Sequence, residues 1–221
     1  MSYIERIQQL FTEHQNEENA IPMKKYMRNR FPFLGIKTPL RKTLMRQFLK
    51  ESGMREEPLQ TEFVRSLWQL PEREYQYAAM DYLHVSLKKL HKNDLNLMEE
   101  LMTTKSWWDT VDMLAQKEVG EIAKRFPVVI DEYIESWNTS ENIWLQRSSL
   151  LFQLKYKGQT DEDLLYRYIR NLADSREFFI QKAIGWVLRE YSKTNPESVR
   201  IFINNHRLAP LSVREGSKYL S

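Results

Sequence analysis

The 221-residue chain contains no cysteine, which excludes disulfides, thiolate metal sites and a cysteine nucleophile. It has six glycines and eight prolines, too few for the glycine-consuming turns of a β-sandwich or a Rossmann fold. Its four histidines, His14, His84, His91 and His206, are scattered singly, so no metal site is expected. No run of 18 apolar residues is present, and a membrane-spanning helix is not expected. The first ten residues are amphipathic and lack the apolar block of a secretory signal. The missing thiols are compatible with a reducing cytoplasm, the expected location. The phosphate loop, the dinucleotide fingerprint, the nucleophile elbow and the zincin helix are absent. No helix-turn-helix or zinc-finger spacing occurs either.

Acid is also missing locally. Residues 21–50 hold nine basic and no acidic side chains. The flanking windows carry −3 over 1–20, −7 over 51–140 and +4 over 141–221, so a net charge of only +3 conceals a sharply basic segment. Such a segment attracts polyanions, nucleic acid above all, through counterion release. A membrane surface fits less well, because the cations are interleaved with Tyr26, Phe31, Phe33 and Gly35.

What the chain has in abundance is helical periodicity. Tyr75, Ala78, Ala79, Tyr82, Leu83 and Leu87 follow the i, i+3, i+4 rule, as do Val111, Leu114, Ala115 and Ile122. Ile180, Ile184, Val187, Leu188 and Tyr191 form another apolar stripe. Thr38-Pro39 and Asn195-Pro196 read as helix starts, and Pro58, Pro71 and Pro127 as breaks. No alternating strand pattern stands out. The aromatics Tyr75, Trp108, Trp144 and Phe179 are 33, 36 and 35 residues apart, each near the start of a long helix. Shorter amphipathic helices follow at 93–102, 128–137, 161–172 and 197–205. A period near 35 with two helices per unit predicts an all-α fold, an α-solenoid whose concave face is basic.

Candidate chemistry concentrates on equivalent helices. Trp108 and Asp112 are four residues apart and share a face. Arg147 opens the next long helix, with Lys155 eight residues on and pointing roughly the same way. Lys182, Trp186, Arg189 and Lys193 fall at i, i+4, i+7 and i+11, a basic stripe with a tryptophan inside it. Trp68 and Trp137 read as core. Asp112 has two readings: a catalytic carboxylate, or a buried structural partner of Arg147.

At these residues the chain resembles the AlkD family of DNA alkylation repair enzymes, DNA glycosylases built from HEAT-like helical repeats. The resemblance covers nearly all of 1–221, which implies a single HEAT-like repeat domain. It rests on Phe31-Pro32-Phe33-Leu34-Gly35-Ile36-Lys37-Thr38-Pro39, on Ser106-Trp107-Trp108-Asp109-Thr110-Val111-Asp112, and on the last two long helices. It implies an active cleft of Trp108, Trp186, Asp112 and Arg147, with Tyr26, Lys155 and Arg189 on the DNA backbone and Lys37 in the matching N-terminal loop. Lys182 and Lys193 extend the backbone grip through the basic stripe. The implied reaction is excision of N3- or N7-alkylated purines from duplex DNA, with no cofactor, no metal and no membrane partner, by a monomer. Asp112 would stabilise the oxocarbenium-like sugar, the two tryptophans would face the cationic sugar and base, and Arg147 would hold a phosphate bidentately. Two other readings stay open: a non-catalytic nucleic-acid-binding scaffold, and a protein-binding solenoid, which has no need of the acid-free window.

Overall fold

A computed structural model describes residues 2–220. Ser2 begins the first helix: its hydroxyl accepts the Glu5 amide at 3.2 Å, and the Glu5 carboxylate accepts the Ser2 amide at 2.7 Å. This reciprocal cap satisfies two otherwise orphaned donors and launches Tyr3–Thr12, which buries Ile7 and Phe11. The helices Glu17–Tyr26, Thr38–Ser52, Thr61–Gln69 and Arg73–Val85 follow. From His91 onward come Leu95–Thr103, Trp108–Leu114, Gly120–Arg125, Glu135–Asn138, Ile143–Leu151, Glu162–Leu172, Phe178–Tyr191, Pro196–Asn205 and Pro210–Gly216. Among the described residues there is no strand, so the all-α architecture of repeated helix pairs expected of an α-solenoid is present. The chain divides into two compact units at Leu90/His91.

The periodic aromatics fall where the 35-residue spacing places them. Tyr75, Trp108, Trp144 and Phe179 each lie within the first three residues of their helices. Trp68 and Trp137 are fully buried, as core residues should be. Asn195 caps Pro196–Asn205, accepting the Ser198 amide at 3.3 Å. The other proline start is displaced by one residue. Lys37, not Thr38, is the N-cap, Thr38 is already helical, and no side chain closes that end.

In the first unit the loop before that helix is shaped by Glu74. Its buried carboxylate accepts the amides of Leu34, Gly35 and Ile36 at 3.0, 2.8 and 3.1 Å. Gly35 adopts φ +87, and a Cβ there would lie 1.8 Å from the Asn16 carbonyl oxygen, so only glycine fits. Loop, carboxylate and glycine together fix the backbone that presents Lys37. Eight of the nine cations in 21–50 are exposed; the ninth, Arg41, is buried and pairs with Asp81 at 2.8 Å.

In the second unit, Trp108–Leu114 runs through a π turn at Ala115–Val119 into Gly120–Arg125. A π turn widens the helix and upsets the i→i−4 ladder. The Tyr156 hydroxyl donates to the Gly120 carbonyl at 2.5 Å. A Cβ on Gly120 would come within 2.6 Å of the Phe152 carbonyl oxygen, so the helix is held against that turn by direct backbone approach. Inside the π turn, Glu118 is 1% exposed, and burial pushes its carboxyl up to about 8.

A carboxyl whose pKa is raised on folding contributes stability that is fully present below its unfolded value, about 4.5, and is lost as pH rises through the folded value, about 8. Glu118→Gln removes this titration. The variant should melt near the wild-type temperature at pH 5 and above it at pH 9. Equal melting temperatures for both proteins at pH 9 would show that Glu118 folds in ionised at no cost.

Candidate active site

The second unit brings Asp112 and Arg147 into direct contact. Asp112 lies on the second turn of Trp108–Leu114 and Arg147 on Ile143–Leu151, and their residues are only 7% and 4% exposed. Arg147 Nε donates to Asp112 Oδ1 at 2.6 Å and Nη2 to Oδ2 at 2.8 Å, a bidentate pair. Arg147 Nη1 donates to the carbonyl oxygen of Phe179, at the start of Phe178–Tyr191. Three helices thus meet at one guanidinium. Burial raises the Asp112 carboxyl, against the lowering by the Arg147 hydrogen bonds and charge. The pairing with the Arg147 guanidinium favours the charged form and opposes that rise.

The family resemblance implies a phosphate on the fork of Arg147, whereas the other reading of Asp112 makes it the buried partner of Arg147. In this structure that edge is turned to Asp112, and a third donor is spent on Phe179. Two of the five guanidinium N–H groups remain. Arg147 therefore orients the carboxylate.

Aromatic side chains build the wall beside this pair. Trp107, Trp144 and Phe179 form a closed triangle, with ring centroids 5.6 Å apart for Trp107–Trp144 and 5.0 Å for each of the other two pairs. The Arg147 guanidinium lies 5.9 Å from the Phe179 ring. Asn142 caps the middle helix by accepting the Trp144 amide at 2.9 Å, and Ser106 Oγ donates to the Met102 carbonyl at 2.7 Å just before Trp107. Lys105 at φ 51 turns the chain into that segment. The triangle was invisible as a site in the sequence, where Trp144 and Phe179 served only as markers of the repeat.

Trp108 is half-buried, one turn before Asp112 on the same helix. Trp186 is also half-buried, seven residues after Phe179 on Phe178–Tyr191, and its side chain makes no hydrogen bond or ring contact among the described residues. Its stripe is less free than its spacing implied. Lys182 and Arg189 both reach Glu215, at 3.1 and 3.0 Å, and Lys218 joins them at 2.9 Å. Lys193 lies beyond the end of the helix, bridges Glu190 at 2.6 Å, and rests over Tyr219 with its Nζ 5.4 Å from the ring centroid. Lys155 stands exposed in the turn after Leu151, beyond the helix that carries the buried Arg147. Glu215, 33 residues beyond Lys182, carried no sequence signal.

In the first unit, Tyr26 is 70% exposed at the end of Glu17–Tyr26, and Lys37 is exposed at the cap of Thr38–Ser52. Among the described residues no group of acidic or histidine side chains is arranged to hold a metal ion. No helix of those residues is long and apolar enough to cross a membrane.

The geometry makes the pair a stability element whatever else it does. Arg147→Met would leave the Asp112 carboxylate buried without a counter-charge, at a cost of about 3–5 kcal/mol. Adding Asp112→Asn to that variant should recover a substantial part of the loss. Urea denaturation of the single and double variants checks this; a double variant no more stable than Arg147→Met would show that the pair is not coupled.

None of the curated proteins matches the chain. A solved structure described as a predicted DNA alkylation repair enzyme from Enterococcus faecalis is 37% identical, with a TM-score of 0.87 over 94% of this chain and 97% of that one. A structure of smu.31 from Streptococcus mutans UA159 shares the fold at 18% identity, with a TM-score of 0.59 over 82% of this chain and all of the other. The sequence profile of the DNA alkylation repair enzymes matches residues 7–220. With the profile spanning almost the whole chain, the protein belongs to the DNA alkylation repair enzyme family.

Proposed function

We propose that this protein is a DNA glycosylase that removes cationic N3- or N7-alkylated purines from duplex DNA. The observation that carries the reading is the Asp112–Arg147 pair, a buried carboxylate paired with a guanidinium and fixed in direction by two hydrogen bonds, on the helix that also bears Trp108. A purine alkylated at N3 or N7 already carries positive charge and leaves without a general acid. The carboxylate must then oppose the positive charge that develops on the deoxyribose and orient the attacking water. A preorganised charge of this kind costs no reorganisation when the bond breaks. Trp108 and Trp186 offer π faces to the cationic sugar and base, each contributing about 0.5–2 kcal/mol. The reaction is a hydrolysis and calls for no cofactor.

Lys37, Lys155, Lys182, Arg189 and Lys193, with Tyr26, are assigned to the DNA backbone. Phosphate contacts of this kind position a duplex without reading its sequence. We further assign residues 1–221 to one HEAT-like repeat domain that acts as a monomer, in the cytosol or nucleoid where its substrate lies. A second reading, a non-catalytic nucleic-acid-binding scaffold, is favoured by one observation: Asp112 is buried deeply enough for its bond to Arg147 to be purely structural.

Two experiments test these assignments. Duplex DNA should bind without marked sequence preference. With five cations on phosphates, log affinity should fall with log salt at a slope of about −4 to −5; an affinity indifferent to salt would remove the backbone assignment. Asp112→Asn keeps the size of the side chain and deletes its charge. In single-turnover release of an N3- or N7-methylpurine it should be slower by roughly 100- to 1000-fold, with DNA affinity nearly unchanged. A folded Asn variant excising at the wild-type rate would leave the scaffold reading standing.

A further inference from the structure

Glu215 is an 8% exposed carboxylate that gathers three cations from two elements. Lys182 Nζ reaches Oε1 at 3.1 Å, while Arg189 Nη1 and Lys218 Nζ share Oε2 at 3.0 and 2.9 Å. It sits on Pro210–Gly216, and that short helix lies directly on Phe178–Tyr191. A Cβ on Gly185 would stand 2.5 Å from Glu215 Cβ and 3.0 Å from the Ser212 carbonyl oxygen. Ser212 Oγ also donates to the Gln181 carbonyl at 2.8 Å. The C-terminal helix is therefore also seated by close approach and an uncharged hydrogen bond, contacts that do not involve the carboxylate.

What the carboxylate does fix is the cations. Lys182 and Arg189 lie four before and three after Trp186 on one face of the helix. Each is a long, flexible side chain whose ordering costs entropy, and with Lys218 beside them their like charges repel. A single buried acceptor reverses this. It holds the cations together as a cluster of net charge +2 and spends one donor from each, leaving two N–H groups on Lys182 and four on Arg189. Lys218 and Lys182 hold the carboxyl down, to about 2, so the clamp persists across the working pH range.

We propose that Glu215 is a positioning residue for DNA: it pre-orders Lys182 and Arg189 on either side of Trp186 so that both meet backbone phosphates at once. This rests on the DNA-binding reading above and adds the C-terminal helix to that site. It makes a prediction opposite in sign to simple electrostatics. Deleting a negative charge from a DNA-binding face should steepen the salt dependence of binding. Losing a positioning group should make it shallower, because fewer phosphates are engaged together.

The test is the affinity of wild type, Glu215→Gln and Glu215→Asp for undamaged duplex DNA across a salt series, with a circular-dichroism melt of each protein. Gln removes the charge; Asp keeps it but is one methylene too short to hold both cations. For each folded variant the log–log slope should be shallower by about 1–2, one or two phosphate contacts at roughly 0.9 each. In the Lys182→Met, Arg189→Met background, Glu215→Gln should change the slope no further. An unchanged or steeper slope in either folded variant overturns the proposal, and so does a further drop in the Met background. Wild type that binds with steep salt dependence but releases no base contradicts the glycosylase reading alone. Wild type without salt-dependent binding removes the backbone assignment and this proposal with it.

Discussion

The second unit is organised around a carboxylate that cannot be left alone. Asp112 is buried on the face of a helix, and an isolated ion there would either take up a proton or unfold its surroundings. Arg147 resolves the conflict with two parallel hydrogen bonds, and its third donor ties the pair to the Phe179 carbonyl. The constraint propagates outward from there. Three helices must start in register, because Asp112, Arg147 and Phe179 each lie within the first two turns. The aromatic triangle closes the adjoining wall. The π turn just beyond Leu114 then allows the rest of that long helix to settle against the Phe152 turn.

Four buried acids show how differently one functional group is used. Glu74 is spent on backbone, accepting three amides that shape the loop before Lys37. Glu118 has its carboxyl raised by burial and marks a π turn. Glu215 is surrounded by cations and held strongly acidic. Asp112 lies between these extremes, raised by burial and opposed by one guanidinium. Of the four, Asp112 alone combines a fixed charge with a neighbouring half-buried tryptophan on its own helix, which is why the proposed chemistry is placed there.

Much of the fold was legible in the sequence, because helices of this kind are specified locally. The apolar stripe through Ile180, Ile184 and Val187, the Asn195-Pro196 start and the breaks at Pro58, Pro71 and Pro127 each depend on a few neighbouring residues. The 35-residue recurrence of Tyr75, Trp108, Trp144 and Phe179 carried the pairing of helices. The site was legible in part. Asp112 and Arg147 were singled out, and their buried pairing was one of two readings left open, because spacing along the chain does not report which way a buried side chain turns. Glu215 was missed for a related reason: its partners Lys182 and Arg189 lie 33 and 26 residues upstream, and only the close seat of the C-terminal helix on Gly185 brings them together. The loop held by Glu74 was seen as a conspicuous segment, yet the distant acid that shapes it gave no local sign.

A glycosylase needs the fixed carboxylate to serve bond cleavage. The most direct measurement incubates the purified protein with methylated duplex DNA and analyses both products. Free N3- or N7-methylpurine should appear in solution, with an otherwise intact strand carrying an abasic site. DNA that is bound in a salt-sensitive manner but keeps all its methylated bases would contradict the glycosylase reading, and would leave Asp112 and Arg147 as a structural pair within a nucleic-acid-binding scaffold.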